Sequence, residues 1–229
     1  RIVRGGNADN TSITLPDGVK YDTASPQTRL YRDNWGSPTA STLSDLAFYY
    51  WSRDLQPGLA NNVRPSPKKQ WPRQNFGTSQ RPAELDAYWN PRNDPATWQH
   101  MVTYTIGFND AAAWTGPPIW SGDTFNNLGD LVRGDVGWPS PFCDIYSGNT
   151  RPCDSGLGLS WLTRENERKV ELWHAALNSR GRFVPAVDDM ALLNAFQGIL
   201  DDILHQTSQP WVSIASSSSR LRSNGLIYV

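Results

Sequence analysis

A chain of 229 residues with 38% hydrophobic content has enough material for one sizeable core or two small ones. Gly (18), Pro (17) and Trp (11) are plentiful while charge is only 19%, which excludes a disordered chain and points to long ordered loops pinned by aromatic anchors. The net charge of -1, with no Lys/Arg block longer than two, excludes nucleic acid as a natural partner; no stretch approaches the roughly 20 apolar residues of a membrane span, so a soluble chain is expected.

Residues 1–39 are rich in Gly, Asn, Asp and Pro. Leu15-Pro16-Asp17-Gly18 reads as a turn, because Pro presets φ and Gly accepts positive φ, so loop with a short hairpin is expected. The spacing of Leu43, Leu46, Ala47 and Tyr50 predicts a first helix over 42–53, with Thr42 as its cap and Asp45 in the first turn. Pro57-Gly58 ends it and opens a polar segment, after which a short helical piece is expected over 82–89 with Pro82 at its first position.

Residues 100–108 alternate Val102, Tyr104, Ile106 and Phe108 against Thr103, Thr105 and Gly107, which predicts a strand. The knot before it, WNPRNDPATWQH, reads as a turn made by Pro91, Asn93, Asp94 and Pro95, with Trp98 as anchor. Chemistry there would require His100 exposed beside a carboxylate. A Trp- and Gly-rich insertion over 109–160 is too long for a plain connection and holds a candidate helix over 123–132. Thr163 caps the next expected helix, with Glu165 in its first turn, Val170, Trp173 and Leu177 on one face, and Gly181 as the left-handed stop.

A strand over 182–187 follows. Asp188 then caps a last helix whose Leu192, Phe196, Ile199 and Ile203 form one stripe, broadened by Leu193 and Leu200. Strand, helix, strand, helix is the rhythm of an α/β layer. Strand-like segments over 211–215 and 226–229 flank a Ser-rich run, and this tail reads as a linker into a further unit. The chain starts at Arg1 with no leader in view, so a trimmed product or an excerpt of something larger is expected.

Few residues offer chemistry. His100, His174 and His205 lie in three separate elements without zinc-ligand spacing; His174 is expected to be a hydrogen-bonded structural histidine and His205 to be solvated. Asp188-Asp189 and Asp201-Asp202 are helical neighbours pointing to different faces, so they cannot act together as acid and base. Trp35, Trp71, Trp89, Trp98, Trp114, Trp120 and Trp138 are expected to pin loops, the alternative being a sugar-stacking surface of a secreted carbohydrate-binding or carbohydrate-active protein. Arg133-Gly134-Asp135 is the tripeptide that integrins read, a candidate adhesion site; a helix-ending turn is its plainer reading. Cys143 and Cys153 have nine residues between them, including Gly and Pro. A local disulfide, worth up to about 3 kcal/mol in an oxidising compartment, is the simplest reading, and two unpaired buried thiols are the alternative.

Several longer stretches share one resemblance: LPDGVKY (15–21), TLSDLAFYYWSRDLQPGLANNV (42–63), WNPRNDPATWQHMVTYTIGF (89–108), ELWHAALNSRGRFVPAVD (171–188) and NGLIYV (224–229). In this order they resemble the PilC/PilY family, the type IV pilus biogenesis factors and tip adhesins of Gram-negative bacteria. The resemblance implies an α/β fold: residues 1–207 as the C-terminal portion of a von Willebrand factor A-like domain, its sheet flanked by helices and carrying the insertion 109–160. It further implies that 208–229 form a linker and first strand leading toward a β-propeller. An extracellular, non-enzymatic protein at the pilus tip or outer membrane is implied, with pilins or minor pilins, the remainder of its own polypeptide and a host-surface receptor as partners.

The Asp-x-Ser-x-Ser metal motif of such domains does not occur in the sequence, and the family's calcium loop belongs to the propeller. No cofactor is therefore expected in this chain, with a metal ion placed in upstream or downstream regions. Strands supplied from elsewhere are expected to complete the sheet.

Overall fold

A computed structural model describes residues 9, 11–33, 41–63, 71–108, 128–138, 161–207, 215–216 and 227–228. The first hairpin pairs β1 (Ile13–Thr14) with β2 (Lys20–Tyr21) in antiparallel register. Its turn is the expected one: the Gly18 amide donates to the Leu15 carbonyl at 2.8 Å, and Gly18 takes φ 87°, which a Cβ would oppose. A 3-10 helix over Pro26–Tyr31 follows, with the Ser25 hydroxyl accepting from the Gln27 amide. It buries Leu30 and Tyr31.

Helix α1 spans Leu43–Trp51. Thr42 and Asp45 form a reciprocal capping box, each side chain accepting the other's backbone amide, which satisfies two of the amides a helix start otherwise leaves unpaired. The expected helix over 82–89 is not formed. Here β3 (Gln74–Asn75) pairs with β4 (Glu84–Leu85), and only Ala87–Trp89 makes a 3-10 turn. Asn75 decides the outcome: its carboxamide oxygen accepts the amides of Gly77 and Ala83 at 2.9 and 2.8 Å, holding the hairpin that a helix starting at Pro82 would break.

Strand β5 covers Thr105–Phe108, shorter than expected, and pairs in parallel with β6 (Phe183–Ala186). The preceding residues are tied elsewhere: the Met101 amide donates to the Tyr50 carbonyl and the Thr103 amide to the Ser179 hydroxyl. Helix α2 is Gly129–Arg133, helix α3 Trp161–Asn178 and helix α4 Asp189–Thr207. β7 (Ala215–Ser216) and β8 (Ile227–Tyr228) pair antiparallel in the tail. Among the described residues the fold is mixed α and β with four two-stranded sheets, and in the parallel pair α3 precedes β6 and packs on both strands.

The core gathers where α1 crosses α3 beneath the N-terminal loops, around Tyr21, Tyr31, Trp51, Trp98, Trp173 and Phe183. Each large side chain buried there contributes about 1.5–3 kcal/mol from removal of apolar surface. The Pro- and Asn-rich knot belongs to this core. The Trp98 indole donates to the Trp51 carbonyl at 2.8 Å, and the Trp51 indole donates to Asp94 at 3.1 Å.

Helix α3 ends in a Schellman motif whose left-handed residue is Arg180, φ 63°, instead of the expected Gly181. The guanidinium explains the exchange. It is buried 4.6 Å from the Tyr31 ring centroid and 4.5 Å from that of Trp51, and donates to the Tyr31 hydroxyl and the Asn90 carbonyl, contacts that offset the local strain. Gly181 is needed for a different reason: a Cβ there would lie 2.0 Å from the Thr103 carbonyl oxygen.

Helix α4 is capped by Asp188 as expected, its carboxylate accepting the Ala191 amide at 2.7 Å. Its expected buried stripe is rotated. Ala195 and Ile199 are the buried positions, while Met190, Leu193, Phe196, Leu200, Ile203 and Leu204 face outward. α4 packs on β6, and its buried positions are only the small Ala195 and Ile199, a seam narrower than the apolar content of the helix.

Candidate functional site

Arg133, Gly134 and Asp135 close α2, and Arg133 and Gly134 border a cleft of about 550 Å3 whose lining includes Arg29, Arg32 and Trp138. Gly134 is left-handed at φ 80°, and a Cβ on it would meet the Arg29 side chain at 2.6 Å. Arg29 donates to the Arg133 carbonyl. Arg133 pairs with Asp130 through one nitrogen, donates to the Arg81 carbonyl at 2.9 Å through a second, and reaches Asp135 at 2.6 Å through Nε. Arg81 also donates to Asp135, at 2.8 Å. The bond from Arg133 and the nearby arginine charges hold the Asp135 carboxyl below its usual pKa. The tripeptide therefore combines a helix-ending turn with an internally paired Arg and Asp. Cys143 and Cys153 lie outside the described residues.

The knot at 89–100 places His100 beside a carboxylate: Nε2 lies 2.8 Å from Asp94, and Nδ1 lies 2.7 Å from the Trp98 carbonyl. The pair is inside, with side chains only 6% and 10% exposed. Burial works against the imidazolium, but the hydrogen bond and charge of Asp94 outweigh it, and the His100 pKa is raised. A solvent-reachable acid or base is not what this arrangement offers. Trp89, Trp98 and Trp138 are buried as loop anchors, whereas Trp71 is partly exposed with the Arg92 guanidinium 4.4 Å over its ring. Trp35, Trp114 and Trp120 lie outside the described residues.

A second polar constellation forms where the α1 N-terminus meets the middle of α3. Asp33, just after the 3-10 helix, accepts from the hydroxyls of Thr42 and Ser44, each at 3.0 Å. The Asp33 amide donates to Asp9 at 2.6 Å, and Glu171 accepts the Ser44 amide at 2.8 Å. Glu171 and His174 stand three apart on α3 and so share one face. His174 lies flat against Trp138, ring centroids 4.1 Å apart, with Nδ1 3.6 Å from an Asp33 oxygen. Ligand atoms of Asp33, Glu171 and His174 lie within 4.8 Å of one another, as do those of Asp9, Asp33 and Asp45, and all five residues are buried.

His174 is expected to be hydrogen-bonded; the Tyr31 backbone acts on it weakly in this way, but neither ring nitrogen makes a well-aligned hydrogen bond. Burial holds its pKa down to about 3, against the pull of the Asp9 charge and the Tyr31 backbone, so the ring is neutral with a free lone pair. Burial also pushes Glu171 up to about 7; the bonds from Ser44 oppose this, and the charges of Asp33 and Asp45 add to it. Glu171 and Asp33 were not singled out from sequence. The Glu-x-x-His spacing at 171–174 was the available signal, since it puts two ligand types on one helical face, but Asp33 joins them only through the tertiary fold.

No family model matches the chain, and no solved structure matches it. The type IV pilus biogenesis factor PilY1 of Pseudomonas aeruginosa strain PAO1 is 39% identical over 199 residues, 86% of this chain and 14% of the relative. Its counterpart in strain UCBPP-PA14 is 35% identical over 227 residues, 98% of this chain and 16% of the relative. The PAK protein of the same name is 38% identical over 199 residues, covering 86% of this chain and 14% of that relative. The chain thus spans about one sixth of the length of these relatives. With several unusual stretches in family order and this identity along most of its length, the chain belongs to the PilC/PilY family.

Proposed function

We propose that this chain is a protein-contact module of a type IV pilus biogenesis factor, working without enzymatic turnover at the pilus tip or outer membrane in pilus assembly and surface adhesion. The names of the relatives support the biogenesis role. The contact reading is carried by α4. Met190, Leu193, Phe196, Leu200 and Leu204 recur at intervals of three and four residues, and all five are exposed, Met190 to 64% and Leu204 to 59%. A helix apolar on the face away from its sheet as well as toward it is built to be covered on both.

The partners that fit are the remainder of its own polypeptide, pilins or minor pilins, and a host-surface receptor. The parallel β5/β6 pair with its α3 connection supports a von Willebrand factor A-like domain whose sheet further strands complete, because parallel sheets normally lie buried between helices. Among the described residues no helix is long and apolar enough to cross a membrane. The test is to place Leu193→Glu with Leu200→Glu in the full-length gene of a piliated bacterium. Both positions are exposed, so the protein should accumulate normally while surface pili are lost; normal piliation would sink the contact reading.

A further inference from the structure

We propose that Asp33, Glu171 and His174 form a binding site for a single divalent transition-metal cation, zinc or manganese, in the buried seam between the α1 N-terminus and α3. Helix capping explains part of this cluster: the donors of Thr42 and Ser44 take up Asp33 and Glu171. It gives His174 no carboxylate or hydroxyl bond. That imidazole is 1% exposed, has the Tyr31 backbone as its one hydrogen-bonding influence, makes no well-aligned hydrogen bond from either nitrogen, and holds Nδ1 3.6 Å from an Asp33 oxygen. A buried polar group of this kind needs a partner, and a metal ion is the one that a lone pair beside two carboxylates suits.

The donor set selects the class of ion. One imidazole and two carboxylates, without thiolate, match zinc or manganese better than the all-oxygen shells of calcium and magnesium. Ligand atoms now within 4.8 Å of one another would close to roughly 3.3–3.6 Å apart around an ion held by metal bonds of about 2.0–2.2 Å in tetrahedral geometry. The supporting bonds are in place. The Thr42 and Ser44 hydroxyls orient Asp33, the Ser44 amide orients Glu171, and stacking on Trp138 fixes the ring of His174. Asp9 and Asp45 add negative charge around Asp33, deepening the attraction for a cation. The site ties the segment after the first 3-10 helix to α1 and α3, so the ion acts as a structural clamp on the core.

The test uses the tag-free chain, stripped with chelator and dialysed against Zn2+ or Mn2+, with metal analysis, calorimetry and thermal unfolding. One equivalent of metal should remain bound, and the unfolding midpoint should rise by about 5–10 °C at a hundredfold excess over Kd. Glu171→Gln and His174→Gln should each weaken binding at least about 100-fold, since each removes a ligand. A folded chain that takes up less than a stoichiometric amount of either metal overturns the site, as do variants that bind as tightly as the parent. Should the variants not fold, Co2+ titration of the parent decides: visible bands saturating at one equivalent support mixed nitrogen and oxygen ligation, and their absence refutes it.

Discussion

Replacing Asp94 with Ala should unpin the knot at 89–100. Its carboxylate accepts the Trp51 indole at 3.1 Å and His100 Nε2 at 2.8 Å, and Trp51 is fully buried. A buried donor left without an acceptor costs about 1–3 kcal/mol, so the two together should cost about 2–5 kcal/mol and lower the unfolding midpoint by about 5–15 °C. Asp94→Asn sharpens the argument, because it keeps an acceptor for the indole but removes the charge that supports the imidazolium. The His100 pKa is raised in the folded state, so its contribution is fully present below its unfolded value of about 6.5 and is lost as pH rises through the folded value. Urea unfolding of parent and Asp94→Asn at about pH 5.5 and pH 8.5 should therefore show the larger difference at the acid end. Equal stability of Asp94→Ala and the parent, or an Asn penalty that grows with pH, would refute the reasoning.

Gly181→Ala should destabilise by about 3 kcal/mol or more, since the new methyl would stand 2.0 Å from the Thr103 carbonyl; denaturant unfolding within about 0.5 kcal/mol of the parent would contradict this. Arg180→Met should cost about 2–4 kcal/mol despite keeping an apolar side chain, through lost ring contacts and the lost donor to the Tyr31 hydroxyl oxygen and the Asn90 carbonyl, read by the same measurement. Asp135→Ala should leave attachment of integrin-bearing cells unchanged, because Arg133 and Arg81 already hold that carboxylate; a clear drop would show that the tripeptide is read after all. Thiol labelling of Cys143 and Cys153 in exported protein should fail before reduction and succeed after it, whereas ready labelling without reductant would point to two free thiols.

Local chemistry is legible at several turns and helix starts, though not at α3, which begins at Trp161 and so carries the expected cap Thr163 inside the helix. Thr42 and Asp45 announce the α1 cap, Leu15 to Gly18 the first turn, and Asp188 the start of α4, because each pairs with backbone only a few residues away. Features set by distant partners are not. Arg180 outcompetes its glycine neighbour for the left-handed position through rings supplied by Tyr31 and Trp51, well over a hundred residues earlier. Strand β5 begins late because Tyr50 and Ser179 claim the backbone before it. Apolar periodicity located α4 but could not choose which of its two apolar rows meets β6, and the smaller row won. The Asp33, Glu171 and His174 cluster is of the same kind: two members share a helical turn, and the third arrives from a loop 138 positions before Glu171, as the residue numbers show.

The central claim is that α4 presents a surface for protein contact within the pilus machinery. Its most direct test is a photo-crosslinking residue in place of Leu200 in the full-length protein, activated in piliated cells, with the adducts identified by mass spectrometry. The account requires a discrete adduct, either to another region of the same polypeptide or to a pilin, and none from a control at exposed Gln56. Leu200 labelled only by water, with no adduct in assembled pili, would contradict it.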